Sequence, residues 1–173
     1  SRSRGLGDVY KRQDLSLAVS RHATSKLPDG RLDDIRFLGF RGEALPSIGA
    51  VSQLRITSVR ADDPHAWQIA VNAGTLTPPQ PAALAIGTQV IVRQLFKAVP
   101  ARLKFLKTER TEQGRCLDVM RRLAMAWPAV GFFLSGDDRT LLDLAPCSDD
   151  VAGRARRLAD VMGRGFADEA VRI

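Results

Sequence analysis

The chain has 173 residues, of which 45% are hydrophobic and 26% are charged, and its formal net charge is +7. This composition is typical of a globular protein with a core, and it excludes a disordered tail or a low-complexity filament. The longest stretch without a formal charge, residues 64–92, contains Pro78, Pro79 and Pro81, so no membrane span is expected. Cys116 and Cys147 lack metal-ligand spacing and indicate neither a disulfide framework nor a zinc site.

Residues 1–13 show neither helical nor strand periodicity. Their sequence, SRSRGLGDVYKRQ, resembles translated sequencing-adaptor sequence. We interpret this segment as non-native, and a basic disordered arm is the alternative interpretation.

The first half of the chain predicts short helices and then strands. The helices are expected at residues 14–20, 33–38 and 43–51. Alternation of apolar and polar side chains predicts strands over residues 53–59, 67–71 and 88–95. The proline-rich stretch between the last two strands is predicted to be a loop at a sheet edge.

In the second half, Pro100 is well suited to open a helix. Residues 101–127 predict two helices, or one helix with a break near Gly114. A hairpin is expected over residues 130–144, and a helix over residues 149–162. Helices interleaved with hairpin-joined strands indicate an α/β (α+β) two-layer sandwich, whose mixed, mostly antiparallel sheet is covered by helices on one face.

The positive charge is concentrated in residues 93–122, which hold nine basic and three acidic side chains. Clustered basic charge could bind a nucleic-acid backbone, and the solvated face of an amphipathic helix explains it equally well. The candidate DNA-binding residues in this segment are Arg102, Lys104, Lys107, Arg115, Arg121 and Arg122.

The run Arg21-His22-Ala23-Thr24-Ser25-Lys26 brings two hydroxyls and an ammonium group together. Hydroxyl and ammonium groups can bind phosphate oxygens. An exposed turn at the end of a helix, with Lys26 near the negative end of the helix dipole, is the alternative. A lone histidine such as His22 is more often a structural residue than a catalyst.

A second run, Gly39-Phe40-Arg41-Gly42, leads directly into a predicted helix. Two glycines three residues apart let backbone N–H groups point at an anion, and Arg41 could add a guanidinium contact. An ordinary turn is the alternative. The pattern differs from the GxxxxGK[ST] loop and from GxGxxG, so neither of those nucleotide folds is indicated.

Together the runs RHATSKL, DDIRFLGFRGEALPSIGAVSQLRITS, GTQVIVRQLF and PARLKFLKTERTE resemble the ATPase domain of the MutL family of DNA mismatch repair proteins, from residue 14 to about residue 162. The motifs HATSK and GFRGEAL in this order and at this spacing are highly specific. The family belongs to the GHKL group, which includes DNA gyrase B, Hsp90 and histidine kinases. The resemblance therefore implies the Hsp90-type ATPase fold, a mixed sheet with helices on one face.

The resemblance also implies an ATP site. Thr24, Ser25 and Lys26 match the family's segment beside the ATP phosphates, and Thr88 matches the residue that reaches the adenine end. The lid motif, whose backbone amides surround the triphosphate, is matched by Gly39, Phe40, Arg41, Gly42, Glu43, Ala44 and Leu45.

Several family features do not occur in the chain. The glutamate that acts as general base, the asparagine that holds Mg2+ and the DNGxG motif are expected upstream of Asp14. We therefore expect no catalytic residue and no metal ligand in these 173 residues, and Glu43 is not interpreted as the base. This polypeptide alone is expected neither to hydrolyse ATP nor to bind it tightly.

By the same resemblance, residues 14–150 are part of a GHKL ATPase domain, and residues 151–173 begin a ribosomal-S5-like domain. The complete bacterial protein is expected to use ATP and Mg2+, to form a homodimer, and to work with DNA and a mismatch-recognition protein of the MutS type. Its expected location is the cytoplasm, at the nucleoid. The rival hypothesis is a DNA-binding or coupling module without a nucleotide role, which uses the basic segment 93–122.

Overall fold

The computed structural model describes residues 10–23, 41–163 and 165–166. The chain divides into two compact units, Ser1–Phe105 (unit 1) and Leu106–Ile173 (unit 2). The helical turn expected at residues 33–38 lies outside the described residues. The domain boundary that the family resemblance implies near residue 150 stays a prediction.

Unit 1 contains a four-stranded sheet with two short helices packed on it. In chain order its elements are α1 (Arg12–Ala18), α2 (Ala44–Ala50), β1 (Gln53–Val59), β2 (Ala66–Asn72), β3 (Thr75–Ala82), β4 (Gly87–Arg93) and α3 (Pro100–Leu103). The strand order is β3-β2-β1-β4, and each pair is antiparallel. The strand predicted over residues 53–59 is confirmed, and Pro100 opens a helix as expected.

The core of unit 1 lies on one face of the sheet. Leu54 pairs with Val71, and Ile56 pairs with Ile69, so their side chains share that face. Leu15 of α1 packs against these four side chains and is fully buried, and Leu45 and Ile48 of the α2 region complete the cluster. The helices therefore cover β1 and β2 from a single side.

The first turn of α1 includes Arg12 and Gln13, which belong to the segment interpreted above as non-native. The Arg12 guanidinium carbon lies 4.6 Å from the centroid of the Trp67 ring. Tyr10 N donates a hydrogen bond to Ser58 Oγ at 2.9 Å. In the structure these residues pack against the edge of the core.

The C-terminal end of helix α2 packs on β2 and accepts a hydrogen bond from the β2–β3 turn. A Cβ on Gly49 would lie 3.0 Å from Val71 Cγ1, so the helix approaches β2 closely. Beyond it, the backbone N–H groups of Ala73 and Gly74 in the β2–β3 turn donate to the carbonyl oxygens of Ser52 and Gly49, at 2.9 and 3.0 Å. These bonds hold the C-terminal end of α2 against the β2–β3 turn.

The proline-rich segment was predicted to be a loop, and this prediction is wrong: Thr75–Ala82 forms β3. Within the described residues this strand is at the edge of the sheet and pairs only with β2. A proline lacks an N–H, but an edge strand needs ladder bonds on one side only, so prolines are tolerated there. The register shifts between Gln68 and Ala70, opposite the part of β3 that holds Pro78 and Pro79.

Unit 2 pairs a hairpin with two helices: α4 (Glu109–Ala126), β5 (Phe132–Gly136), β6 (Arg139–Leu144) and α5 (Val151–Met162). The predicted hairpin is confirmed, and its turn places Asp137 and Asp138 at φ 50° and 59°. The break predicted near Gly114 is wrong, since Gly114 lies inside α4. The interruption falls earlier, between α3 and the Thr108 cap of α4.

The interior of unit 2 is partly polar. Ala124, Leu142 and Leu144 form a small apolar cluster, with Leu117, Met120 and Val161 among the side chains packed on it. Arg157 of α5 is only 1% exposed. Its Nη2 atom donates to the carbonyl oxygens of Pro128, Val130 and Ala145 at 2.8 to 2.9 Å. None of the helices in the described part of the chain is long and apolar enough to cross a membrane.

Candidate functional site

The structure describes only part of the predicted phosphate-contacting set. Thr24, Ser25, Lys26, Gly39 and Phe40 lie outside the described residues. The remaining members of the lid motif, residues 41–45, lead into α2 and form its first turn. Glu43 occupies the N-cap position of α2 without a side-chain cap, and Leu45 packs against the core cluster.

At Gly42 the start of the lid lies very close to the backbone of Ala23. The φ of Gly42 is +61°, and a Cβ at this position would lie 2.5 Å from the carbonyl oxygen of Ala23. A side chain is excluded both by the left-handed backbone and by this contact. Only glycine lets the start of the lid pack against the segment that follows α1.

His22 and Glu43 meet at the same junction. His22 Nδ1 lies 2.9 Å from Glu43 Oε1. That oxygen is buried, yet no hydrogen bond of acceptable geometry reaches it from the described residues. The contact is therefore a close polar approach rather than a hydrogen bond. His22 itself has a left-handed backbone at φ 61°.

Thr88 lies on β4, opposite Ser58 of β1. The two hydroxyl oxygens are 2.8 Å apart, and Ser58, which is 1% exposed, also accepts a hydrogen bond from Tyr10 N. Thr88 is half-buried on the helix-covered face, which it shares with Ile56. We did not predict Ser58 as part of this arrangement; the signal was a small hydroxyl side chain on an otherwise apolar face of β1.

The segment 10–23 connects these two places. Its beginning contacts Ser58 beside Thr88, and its end contacts Gly42 at the lid. The seven residues of α1, which lie between, span about 10 Å at 1.5 Å per residue. The structure therefore sets Thr88 and the lid apart, at opposite ends of one helix on one face of the sheet.

The six candidate DNA-binding residues are all exposed, but they do not belong to one unit. Arg102 and Lys104 are in unit 1, and the other four are in unit 2. Two of those four face acidic side chains on α4: Arg115 Nη1 is 3.3 Å from Glu112 Oε1, and Arg121 Nη1 is 4.0 Å from Asp118 Oδ1. Part of the positive charge of the segment is therefore balanced locally.

Two carboxylates outside this arrangement have a lowered pKa. The pKa of Asp62 is below its usual value because Arg60 donates a hydrogen bond to its carboxylate. The pKa of Asp150 is also lowered, mainly by the backbone N–H of Gly153 and then by the Ser148 hydroxyl. Across residues 10–23, 41–163 and 165–166, no group of three or more His, Cys, Asp or Glu side chains could hold a metal ion.

No family model matches the chain. Among curated proteins, the DNA mismatch repair protein MutL of Rhodopseudomonas palustris (strain BisA53) is 55% identical over 162 residues, which are 94% of this chain and 27% of that protein. The protein of the same name from Azorhizobium caulinodans is 57% identical over 157 residues, 91% of this chain and 25% of that protein. The chain thus spans about a quarter of the length of the curated relatives it matches.

A solved structure shares the fold. The Aquifex aeolicus MutL ATPase domain complexed with ADP is 31% identical, with a TM-score of 0.63 over 76% of this chain and 52% of that chain. This likeness, together with the antiparallel strand pairs and the helices on one face of the sheet in unit 1, confirms the predicted fold class.

Proposed function

The chain belongs to the MutL family of DNA mismatch repair proteins, and we propose from this premise that the complete protein binds and hydrolyses Mg-ATP. Nucleotide-driven dimerisation then carries a signal to mismatch repair on DNA, with a mismatch-recognition protein of the MutS type as partner. This work takes place in the bacterial cytoplasm, at the nucleoid. The observation that carries the proposal is the fold likeness to an ATPase domain that holds ADP, at 31% identity.

The described residues fit a nucleotide in two places. At the lid, Gly42 lets the backbone lie against Ala23 without a side chain. A glycine turn that leads into a helix is a backbone arrangement suited to bind an anion. At the other end of α1, the Thr88 hydroxyl lies at the helix-covered face of β4, where a polar ring edge could be bound. Their positions at opposite ends of α1, a helix about 10 Å long, support phosphates at the lid and adenine at Thr88.

Bound Mg-ATP would supply the phosphoanhydride bond that is hydrolysed. The role of this chain's residues is binding and orientation: Thr24, Ser25 and Lys26 at the phosphates, the lid around them, and Thr88 at the base. For Mg2+, the described residues supply no ligand set, so the proposal assigns no metal ligand to this chain. Glu43 is not a general base in this proposal, because its buried oxygen faces His22.

Substitution of Gly42 in the complete protein tests the proposal. Gly42→Ala introduces a Cβ against a backbone carbonyl, and we expect nucleotide binding to fall by at least about tenfold. Gly74→Ala is the matched control, since Gly74 also has a positive φ but has nothing within 4 Å of the Cβ position. Equal nucleotide affinity of both variants and the parent, by calorimetry, would contradict the assignment of the lid.

The 173-residue chain by itself provides a second test. It contains no DNGxG motif, and we propose that it shows no ATP turnover above that of its own Lys26→Ala variant. Measured phosphate release above this control would overturn that proposal. It would leave the family membership of the chain untouched.

A DNA-binding or coupling module is the second candidate function. It is favoured by the exposure of Arg102, Lys104 and Lys107 and of the arginines on α4. A steep loss of DNA affinity with increasing salt, without any effect of ATP on the complete protein, would support it over the first candidate. A salt-dependent DNA affinity that changes with nucleotide supports the ATPase, with DNA as its partner.

A further inference from the structure

We infer that His22 is a positioning residue of the proposed nucleotide site, because its contact with Glu43 holds the start of the lid against the segment that follows α1. This inference rests on the proposed function. It also gives Glu43 a role: the single acid of the lid motif binds the protein rather than the nucleotide.

The side-chain contact joins two sequence motifs that are twenty residues apart. His22 Nδ1 lies 2.9 Å from Glu43 Oε1, and this oxygen is buried although the His22 ring is 83% exposed. With a proton on Nδ1, the His22 ring presents a donor nitrogen to this oxygen. His22 Nδ1 is thus the side-chain nitrogen that lies against this buried oxygen.

The backbone contact lies next to the side-chain contact. Ala23 follows His22, and Glu43 follows Gly42, and the Ala23 carbonyl oxygen occupies the space where a Gly42 side chain would be. His22 and Gly42 both have a φ of about +61°. A left-handed backbone is unfavourable for a residue such as His22, so the contacts around it must maintain it.

The two contacts together form what we call the clasp, composed of His22, Ala23, Gly42 and Glu43. The clasp connects His22 and Ala23, the first two residues of the HATSK motif, to the start of the lid. These two motifs are proposed to surround the phosphates. Loss of the clasp leaves the HATSK motif and the lid unchanged in sequence, but the distance between them is no longer fixed. We therefore expect weaker nucleotide binding rather than a loss of the chemical step.

Three variants of the complete protein separate positioning from general stability. In His22→Asn the amide nitrogen is bonded to Cγ, as Nδ1 is in histidine, so a donor stays at the same place in the side chain. Asparagine also tolerates the left-handed region better than most residues. His22→Gln carries its donor one bond further away. His65→Ala is the control, because His65 is the only other histidine of the chain and its ring packs on Trp67, 5.1 Å between centroids.

The readouts are the KM for ATP, kcat, and hydrogen exchange of the lid amides 42–45 without nucleotide. We expect His22→Gln to raise KM about tenfold with kcat changed less than about threefold, and to accelerate lid exchange. His22→Asn should restore both to near the parent values, and His65→Ala should leave them unchanged. Parent-like KM and lid exchange in His22→Gln, or equal defects in His22→Asn and His22→Gln, overturn the inference.

Failure of the inference and failure of the proposed function are distinguishable. If the unmodified complete protein neither binds nor hydrolyses ATP, the proposed function fails, and lid exchange still reports on the clasp. If it is active and His22→Gln behaves as the parent, only the clasp is overturned. A double variant, His22→Gln with Glu43→Gln, should be no worse than His22→Gln alone, since both changes remove one contact.

Discussion

The two units of the chain are stabilised in different ways. In unit 1, four aliphatic side chains from β1 and β2 pack against Leu15, and the best buried of them are 0 to 2% exposed. In unit 2, the cluster of Ala124, Leu142 and Leu144 is smaller, and the largest fully buried side chain is Arg157.

The difference shows that a four-stranded sheet and a two-stranded hairpin provide different amounts of apolar area for a core. The wide face of a four-stranded sheet provides enough apolar area for a dry core. A two-stranded hairpin does not, and the loops around it leave carbonyl groups in the interior. Arg157 Nη2 has two hydrogens and lies within hydrogen-bond distance of three of those carbonyls, so one N–H is shared between two of them.

The chain offers one tryptophan in each unit, Trp67 in unit 1 and Trp127 after α4 in unit 2. Variants in which one tryptophan is replaced by phenylalanine report on the unfolding of a single unit. Denaturant titration of these two single-tryptophan backgrounds, followed by fluorescence, measures the unfolding of unit 1 and of unit 2 separately.

The largest effect is expected at Ile56. The side chain is fully buried on the strand between β2 and β4, so Ile56→Ala leaves a cavity that the sheet cannot close. We expect the free energy of unfolding of unit 1 to fall by about 3 to 4 kcal/mol. The exposed Arg55→Ala on the same strand is the control, and a similar loss in both variants would show that the core of unit 1 is not where the stability lies.

Arg157 provides the corresponding test in unit 2. Arg157→Met keeps an unbranched side chain but leaves the carbonyls of Pro128, Val130 and Ala145 without their donor. We expect a loss of about 2 to 3 kcal/mol in the unfolding of unit 2. Arg156→Met, at the exposed neighbouring position, should change it by less than about 0.5 kcal/mol. A stabilised Arg157→Met would show that the buried charge costs more than its bonds return.

A gain in the stability of unit 2 is expected from a substitution at Gly114. This glycine is inside α4, its φ is not positive, and the space around a Cβ is open for 4 Å. Gly114→Ala should stabilise unit 2 by about 0.5 to 1 kcal/mol, because alanine loses less backbone entropy in a helix. A loss of stability would contradict the open helical surroundings of Gly114.

The smallest effect concerns the cap of α5 and depends on pH. Asp150 accepts a hydrogen bond from Gly153 N at 2.7 Å, and its pKa is lowered mainly for this reason. A carboxyl group with a lowered folded-state pKa stabilises above its unfolded value near 3.8 and loses this effect as the pH falls through the folded value. The thermal midpoint of Asp150→Ala should therefore lie below that of the parent at pH 7, and the difference should shrink towards pH 3.

Asp150→Asn is the control for this cap. An asparagine oxygen still accepts from Gly153 N but does not titrate, so its midpoint should be close to that of the parent at pH 7. A difference between Asp150→Ala and the parent that stays constant from pH 7 to pH 3 would contradict the role of the charged form.

Much of the fold follows from local patterns that the sequence displays. Alternation over residues 53–59 predicts β1 at its observed bounds, and the hairpin and the helix over residues 149–162 are close to β5–β6 and α5. Local patterns fail where the tertiary context decides. Thr75–Ala82 is a strand in spite of its prolines because only one of its sides pairs, and nothing in its own sequence shows which side that is.

The candidate site is predictable in its motifs but not in its contacts. The glycine at position 42 is visible as a motif member, whereas its neighbour Ala23 is known only from the folded chain. The left-handed backbone of Phe96 has no sequence signal, because phenylalanine is ordinarily right-handed or extended. Arginine is seldom buried, so a pattern of charges could not single out Arg157.

The three prolines of β3 affect how copies of the protein behave in a crowded solution. An exposed sheet edge is a template on which another chain can add a strand, and this is a common route to aggregation. Pro78, Pro79 and Pro81 have no N–H, so β3 offers fewer donors to an added strand, and the register of its ladder is irregular beside them. Intermolecular strand addition is therefore disfavoured on the β3 side of the sheet.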